Sequence, residues 1–155
     1  MELVSRLTTY LGIHNGKVLA IEATGICKAY NQIRENFNRA KDAEMLVLMH
    51  DDLYLIDDQW VEKLRLHFKI TPSSGIAGIA GAKGINSLEW WNSPQTFGQV
   101  YESRGFLRLG ERRCEVDAVD GCFMVLTPKA ARTTSFDEET FPHFHGYDLD
   151  YCLSA

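Results

Sequence analysis

Four stretches of this chain carry side chains able to do chemistry. His50–Asp51–Asp52 sets two adjacent carboxylates just after the apolar run Met45–Met49. Packed together, such carboxylates repel, and a nearby cation is what lets both stay ionised. Mg²⁺ and Mn²⁺ suit the task, because they take oxygen ligands and share them with substrate phosphates. The triplet can thus hold a metal that clamps a diphosphate. It can equally begin a turn with His50 packing inward, since so short a motif recurs by chance. His143, His145, Asp148 and Asp150 form a second group. If the chain is helical from Tyr147, Asp148 lies in the first turn, where the helix dipole favours a carboxylate. Asp150 then falls about 200° round the axis. An ionised Asp148 can act as a general base toward a substrate hydroxyl; the other reading is a capping Asp beside two surface histidines. In the third stretch, Val116 to Gly121, Asp120–Gly121 is an ordinary turn signal, and Asp120 can also line an acceptor pocket. Last come Trp90 and Trp91, which can stack on sugar faces or serve as buried anchors.

These residues need elements to position them. Leu3, Leu7 and Tyr10 predict a short helix over residues 2–11, and Lys17–Ala23 reads as a strand. Ile26, Tyr30, Ile33, Phe37 and Ala40 recur at helical spacing. Met45–Met49 is continuous and apolar, as in a strand covered on both faces. Asp57 and Asp58 offer an N-cap to a helix carrying Trp60, Leu64 and Phe68. Ile76–Ala80 reads as a strand in which Gly75, Gly78 and Gly81 allow close backbone approach. Residues 82–96 read as a long loop, a feature that is often functional. A hairpin is expected over 97–109, one or two strands over Cys114–Leu126, a helix opened by Pro128 and another from Tyr147 to Ala155. Strands alternating with helices before residue 82 imply a parallel sheet. Ligands of such sheets sit beyond the carboxyl ends of the strands, which points to His50–Asp52.

Composition bounds the partners. The 155 residues suit one domain, with 45% hydrophobic residues, 24% charged and a net charge of −5. That balance argues against nucleic acid, which needs a basic excess to displace counterions; Arg104, Arg108, Arg112 and Arg113 read as a solvated surface. Cys27, Cys114, Cys122 and Cys152 show no metal-site spacing and read as reduced thiols, which suits a cytoplasmic location. No apolar run reaches the ~20 residues that span a bilayer, and the N-terminus lacks a signal-peptide core. Attachment to a membrane through a longer parent protein stays open.

The order of motifs resembles family 2-type glycosyltransferases of the GT-A fold. It is most similar to their "glycosyltransferase-like" branch, in which the metal motif reads His-x-Asp. The resemblance rests on Ala29-Tyr30-Asn31, then His50-Asp51-Asp52, then Trp60 in the next helix. Gly78-Ile79-Ala80-Gly81, Asp120-Gly121-Cys122-Phe123-Met124, Phe136-Asp137-Glu138 and Gly146-Tyr147-Asp148-Leu149-Asp150 follow in order. It implies a three-layer α/β fold with a mixed, mostly parallel sheet. It further implies Mn²⁺ or Mg²⁺ and the diphosphate at Asp52, with Asp51 and His50 beside them. Asp148 would be the catalytic base, and Asp120, Gly121, Trp90, Trp91 and His145 would lie around the sugar and acceptor. The partners would be a nucleotide-sugar and a saccharide or other hydroxyl acceptor, with transfer tending to inversion. His50 stands where the wider family has the first Asp of Asp-x-Asp, and Tyr147 where it has Glu. The family's opening strand has no counterpart, so residues 1–155 are expected to be one incomplete domain, cut at both edges.

Two other functions fit the residues. A non-catalytic module binding a saccharide or protein is favoured by His50, Tyr147 and the lack of an opening strand. A metal-dependent hydrolase would need His50, Asp51, His143 and His145 to converge at metal-ligand distance.

Overall fold

The computed structural model describes residues 16–21, 24–102, 105–110 and 113–155. The helix expected over 2–11 lies outside these residues. So do positions 22 and 23 of the expected Lys17–Ala23 strand, and residues 16–21 form no regular element.

The first helix among the described residues, α1 (Ile26–Arg39), follows its apolar spacing and buries Ile26, Cys27, Tyr30 and Phe37. Two polar side chains on it tie distant segments down. Buried Arg34 donates from Nε to the Ala131 carbonyl (3.0 Å). Asn31 both donates to the Phe136 carbonyl (2.9 Å) and accepts from the Phe136 N–H (3.0 Å). The Asn of the Ala-x-Asn segment thus pairs with that backbone as a neighbouring strand would.

Strand β1 (Leu46–Met49) alternates buried and half-buried residues. After the Asp51–Asp52 turn comes α2 (Trp60–Ile70). Its N-cap is Gln59, without a side-chain cap. Asp57 works just upstream instead, accepting from the Gln59 N–H (2.9 Å) and from Lys63 (2.5 Å). The expected strand Ile76–Ala80 divides at Ile79 into β2 (Ile76–Gly78) and β3 (Ala80–Lys83), which join different sheets. The close approach expected of its glycines holds at two of the three. A Cβ on Gly78 would lie 2.6 Å from Val119 Cβ, and one on Gly81 only 2.4 Å from the Ala118 carbonyl oxygen, whereas at Gly75 it would find ordinary contact.

The stretch read as a loop over 82–96 holds the end of β3, a 3₁₀ turn at Trp90–Asn92 and the start of β4 (Gln95–Glu102). β4 pairs with β5 (Gly105–Gly110) in the expected hairpin. Then follow β6 (Ala118–Val119), β7 (Phe123–Leu126), α3 (Pro128–Thr133) and α4 (Tyr147–Ser154). Thr127 caps α3 by accepting from the Ala130 N–H (3.3 Å).

Among the described residues the fold is mixed α/β with two sheets, ordered β1-β7-β2 and β5-β4-β3-β6. Among the described residues every strand pairing is antiparallel, where a mostly parallel sheet was expected. The reason is the place taken by β7. It runs between β1 and β2, so those two strands, joined through α2, point the same way without pairing. Alternation along the chain reveals that shared direction but not a later strand slipped between. β7 is wholly buried (Phe123, Met124, Val125, Leu126), which stabilises the sheet by about 1.5–3 kcal/mol per large side chain. Helix α4 serves two core clusters, with Tyr147 and Tyr151 in one and Leu149 in the other. Tyr151 stacks on Phe136 at 4.1 Å and donates to the Ala130 carbonyl (3.1 Å).

Candidate active site

Strand pairing builds the site. Because β1 and β7 are antiparallel, with Met49 opposite Phe123, the end of β1 meets the start of β7. The His50 N–H extends the ladder to the Cys122 carbonyl (3.0 Å). His50–Asp52 is thereby laid beside Asp120–Gly121–Cys122, far away in sequence. Gly146, at φ 84°, begins α4; a side chain there would strike Phe141 at 2.7 Å. From the first turn of α4, Tyr147 reaches His50, with its hydroxyl 3.0 Å from Nε2. Asp148 Oδ2 accepts from the Gly121 N–H (2.9 Å). Gly121 is required sterically, since a Cβ there would lie 2.0 Å from the Tyr147 hydroxyl oxygen.

Both oxygens of Asp120 are also engaged. Oδ1 accepts from the Cys122 N–H (2.8 Å) and Oδ2 from the Trp90 indole N–H (3.0 Å). Trp90 is 6% exposed, so it braces Asp120 and is not an open stacking face. Trp91 beside it is 53% exposed, its ring edge-on to Trp90 at 6.1 Å.

Asp148 is 9% exposed. Burial raises its carboxyl above the ordinary value; the Gly121 and Leu149 N–H groups hold it back, and the Asp120 charge adds to the rise. The helix dipole inferred from sequence therefore does not set this group's ionisation by itself. A carboxylate whose pKa is raised makes a better proton acceptor. Burial also pushes the Cys122 thiol up, and the charges of Asp120, Asp148 and Asp52 add to it. One thiol thus feels three carboxylates from three segments. Burial likewise raises Tyr147, so its hydroxyl stays protonated.

The structure therefore gathers His50, Asp120, Gly121 and Asp148, with Asp52 near enough to act on Cys122. Asp51 and Asp52 occupy an exposed turn, and His143 and His145 are exposed. Asp117 belongs elsewhere: it holds the chain after β3, accepting from the Gly84 (2.6 Å) and Ile85 (3.3 Å) N–H groups. Tyr30, Tyr147 and Cys122 are site neighbours that residue-type reasoning did not single out for chemistry. Tyr30 lies on the buried stripe of α1, where it reads only as core. Its ring packs edge-on against Tyr147 at 5.8 Å.

Among the described residues no three His, Cys, Asp or Glu side chains converge to hold a metal by themselves. That sets aside the hydrolase built on His50, Asp51, His143 and His145. It is compatible with Mg²⁺ or Mn²⁺ held by one or two carboxylates and completed by substrate phosphates, which is how these ions usually bind. The exposed carboxylates of Asp51 and Asp52 suit that arrangement. Among the described residues no helix is long and apolar enough to cross a membrane.

The chain belongs to the glycosyltransferase-like family, whose model matches residues 1–155. Among curated proteins none matches it.

Proposed function

We propose that this domain transfers a sugar from a nucleotide-sugar to an acceptor hydroxyl, with inversion, on a GT-A-type scaffold. The observation that carries this reading is Asp148: buried, raised by burial and aimed by the Gly121 N–H beside Asp120. Asp148 takes the proton from the acceptor hydroxyl. The freed oxygen attacks the anomeric carbon, and the bond from that carbon to the diphosphate oxygen breaks opposite it, its electron pair leaving with the diphosphate. In-line attack inverts the centre. Asp52, with Asp51 adjacent, would hold Mn²⁺ or Mg²⁺ together with the diphosphate, and when bound such an ion stabilises the charge that develops on the leaving group. Asp120 and Gly121 shape the acceptor side, and the open face of Trp91 is the one available for a sugar ring. His145 stands exposed just before α4.

Thermal unfolding with nucleoside diphosphates and Mn²⁺ is the first test, because a ligand that binds only the folded state raises Tm. Unchanged Tm at millimolar ligand would defeat the proposal. A saccharide-binding module without turnover is the second reading, favoured by Tyr147 standing where the wider family has Glu. Asp148→Asn separates the two. The enzyme loses turnover while keeping nucleotide binding; a binding module is indifferent.

A further inference from the structure

Two segments far apart in sequence meet at the mouth of the site. The 3₁₀ turn at Trp90–Asn92 brings Leu88 and Trp91 there, and the turn before α4 brings Phe144. Their meeting point is Gly146, where a Cβ would lie 3.2 Å from Leu88 Cδ2 and 2.7 Å from Phe141 Cε1. Gly146 stands two residues before Asp148, and Trp90, the neighbour of Trp91, donates to Asp120. Leu88 is 57% exposed, Trp91 53% and Phe144 61%. Single exposed apolar side chains are ordinary, but three on one lip beside a site mark a surface that a ligand covers.

The chemistry of this lip differs from that of a bare sugar platform. A sugar is held by an aromatic face together with hydrogen-bonding groups around it. Trp91 supplies the face. Leu88 has neither a plane nor a polar side-chain atom, and an aliphatic side chain gains only by covering apolar surface. The polar side chains of the same turn are spent on each other, with Asn92 Nδ2 donating to Glu89 Oε2 (2.7 Å). The turn is also held in place. Trp90 is buried, and the Asn92 and Ser93 N–H groups close on the Glu89 (2.9 Å) and Trp90 (3.0 Å) carbonyls. The exposure of Trp91 beside its buried neighbour is thus imposed by the fold. Glu89 and Asp120 put carboxylates on this side, which disfavours an anionic acceptor at close range.

We propose that the acceptor is a neutral glycoside with an apolar aglycone: its sugar ring lies on Trp91, its hydroxyl reaches Asp148, and the aglycone packs on Leu88 and Phe144. This rests on the sugar-transfer reading for the role of Asp148; the apolar lip does not depend on it. Contact with the aglycone supplies binding remote from the reacting hydroxyl, and such binding holds that hydroxyl in place for deprotonation. Leu88 and Phe144 are then specificity-determining residues, and neither touches the reacting atoms.

Calorimetry with methyl, butyl, hexyl and octyl β-glucosides, each below its micelle concentration, tests the lip. Expected is an affinity that rises about three- to fourfold per methylene group buried, with the octyl compound shifting the amide signals of Gly121 and Gly146. Leu88→Ser and Phe144→Ser, at exposed positions that suit a polar side chain, should flatten the series. Ile70→Ser, as exposed but at the end of α2, should keep it. Affinity that does not rise with chain length, or a rise that both lip variants leave unaltered, overturns the proposal. n-Octyl phosphate should bind less tightly than octyl glucoside; tighter binding overturns the neutral acceptor. Plain phosphatidylcholine vesicles separate a glycoside from a bilayer. Sedimentation of the protein with them, lost in Leu88→Ser, would make the lip a membrane contact and overturn the proposal. A panel of nucleoside diphosphates with Mn²⁺ is titrated alongside. If nucleotides bind and chain length has no effect, this inference fails alone. If the glucoside series holds and no nucleotide binds, the sugar-transfer reading fails and takes the acceptor role with it.

Discussion

Gly121→Ala is the sharpest perturbation available. The backbone at Gly121 lies outside the left-handed region, so alanine meets no conformational barrier and the cost is steric. Its Cβ would sit 2.0 Å from the Tyr147 hydroxyl oxygen, 2.4 Å from Cζ and 2.8 Å from Cε2. The Tyr147 ring has little room to retreat, being 3% exposed and packed against Tyr30 at 5.8 Å and Phe136 at 6.2 Å. Overpacking of a core costs about 1–3 kcal/mol. If the turn shifts, the Gly121 bond to Asp148 weakens as well, and a hydrogen bond to a charged group is worth about 1.5–3 kcal/mol. A loss of about 3 kcal/mol follows, which for a chain of this size is a Tm drop of about 6–12 °C. The decisive assay is a urea-unfolding cycle of Gly121→Ala, Tyr147→Phe and the double variant. Removing the hydroxyl deletes the closest clash, so the double variant is expected to be more stable than additivity allows by about 1 kcal/mol. Additive losses, or a Gly121→Ala protein within about 0.5 kcal/mol of the parent, would refute the packing argument and with it the placing of α4 against the turn at 120–122.

Asp148 has a pH signature. Its folded-state pKa is raised, so its stabilising contribution is full below the unfolded carboxylate value of about 4 and is lost as pH rises through the folded value. Asp148→Asn should therefore gain Tm over the parent as pH rises toward neutral and show no gain at pH ~3; a constant difference across that range would contradict burial of an ionisable group. Trp90→Phe removes the indole N–H from Asp120 and should cost about 1–2 kcal/mol in urea unfolding. Trp91→Ala, at an exposed position, should stay within about 0.5 kcal/mol while weakening saccharide binding measured by calorimetry. Thiol labelling followed by mass spectrometry should modify Cys114 first, because it is exposed. Burial pushes Cys27 and Cys152 up to about 11 and raises Cys122 too; early labelling of Cys122 would show its site open to reagent.

Local pattern exposed much of this architecture. Helix α1, strand β1, the β4–β5 hairpin, the Pro128 helix and the helix from Tyr147 all appear as periodicity or punctuation expects, because each is decided by neighbours within a few residues. The strand expected at Lys17–Ala23 is not formed over its described residues, and two further exceptions share a cause. Ile76–Ala80 reads as one strand, yet it parts at Ile79 because its halves are claimed by β7 and by β4 and β6. Trp90 and Trp91 are alike in sequence, yet one is buried on Asp120 and the other faces solvent. Which face of a turn meets the core is not a local property.

By itself the sequence determined which residues can carry charge and protons, the family to which they belong, and several of the helices and strands around them. Only tertiary structure decided that β7 lies between β1 and β2, and with it that His50 meets Tyr147 and Gly121 holds Asp148. The physical reason is range. Side-chain chemistry and backbone propensity are written residue by residue, whereas a hydrogen bond between positions 50 and 147 exists only after the chain between them has packed.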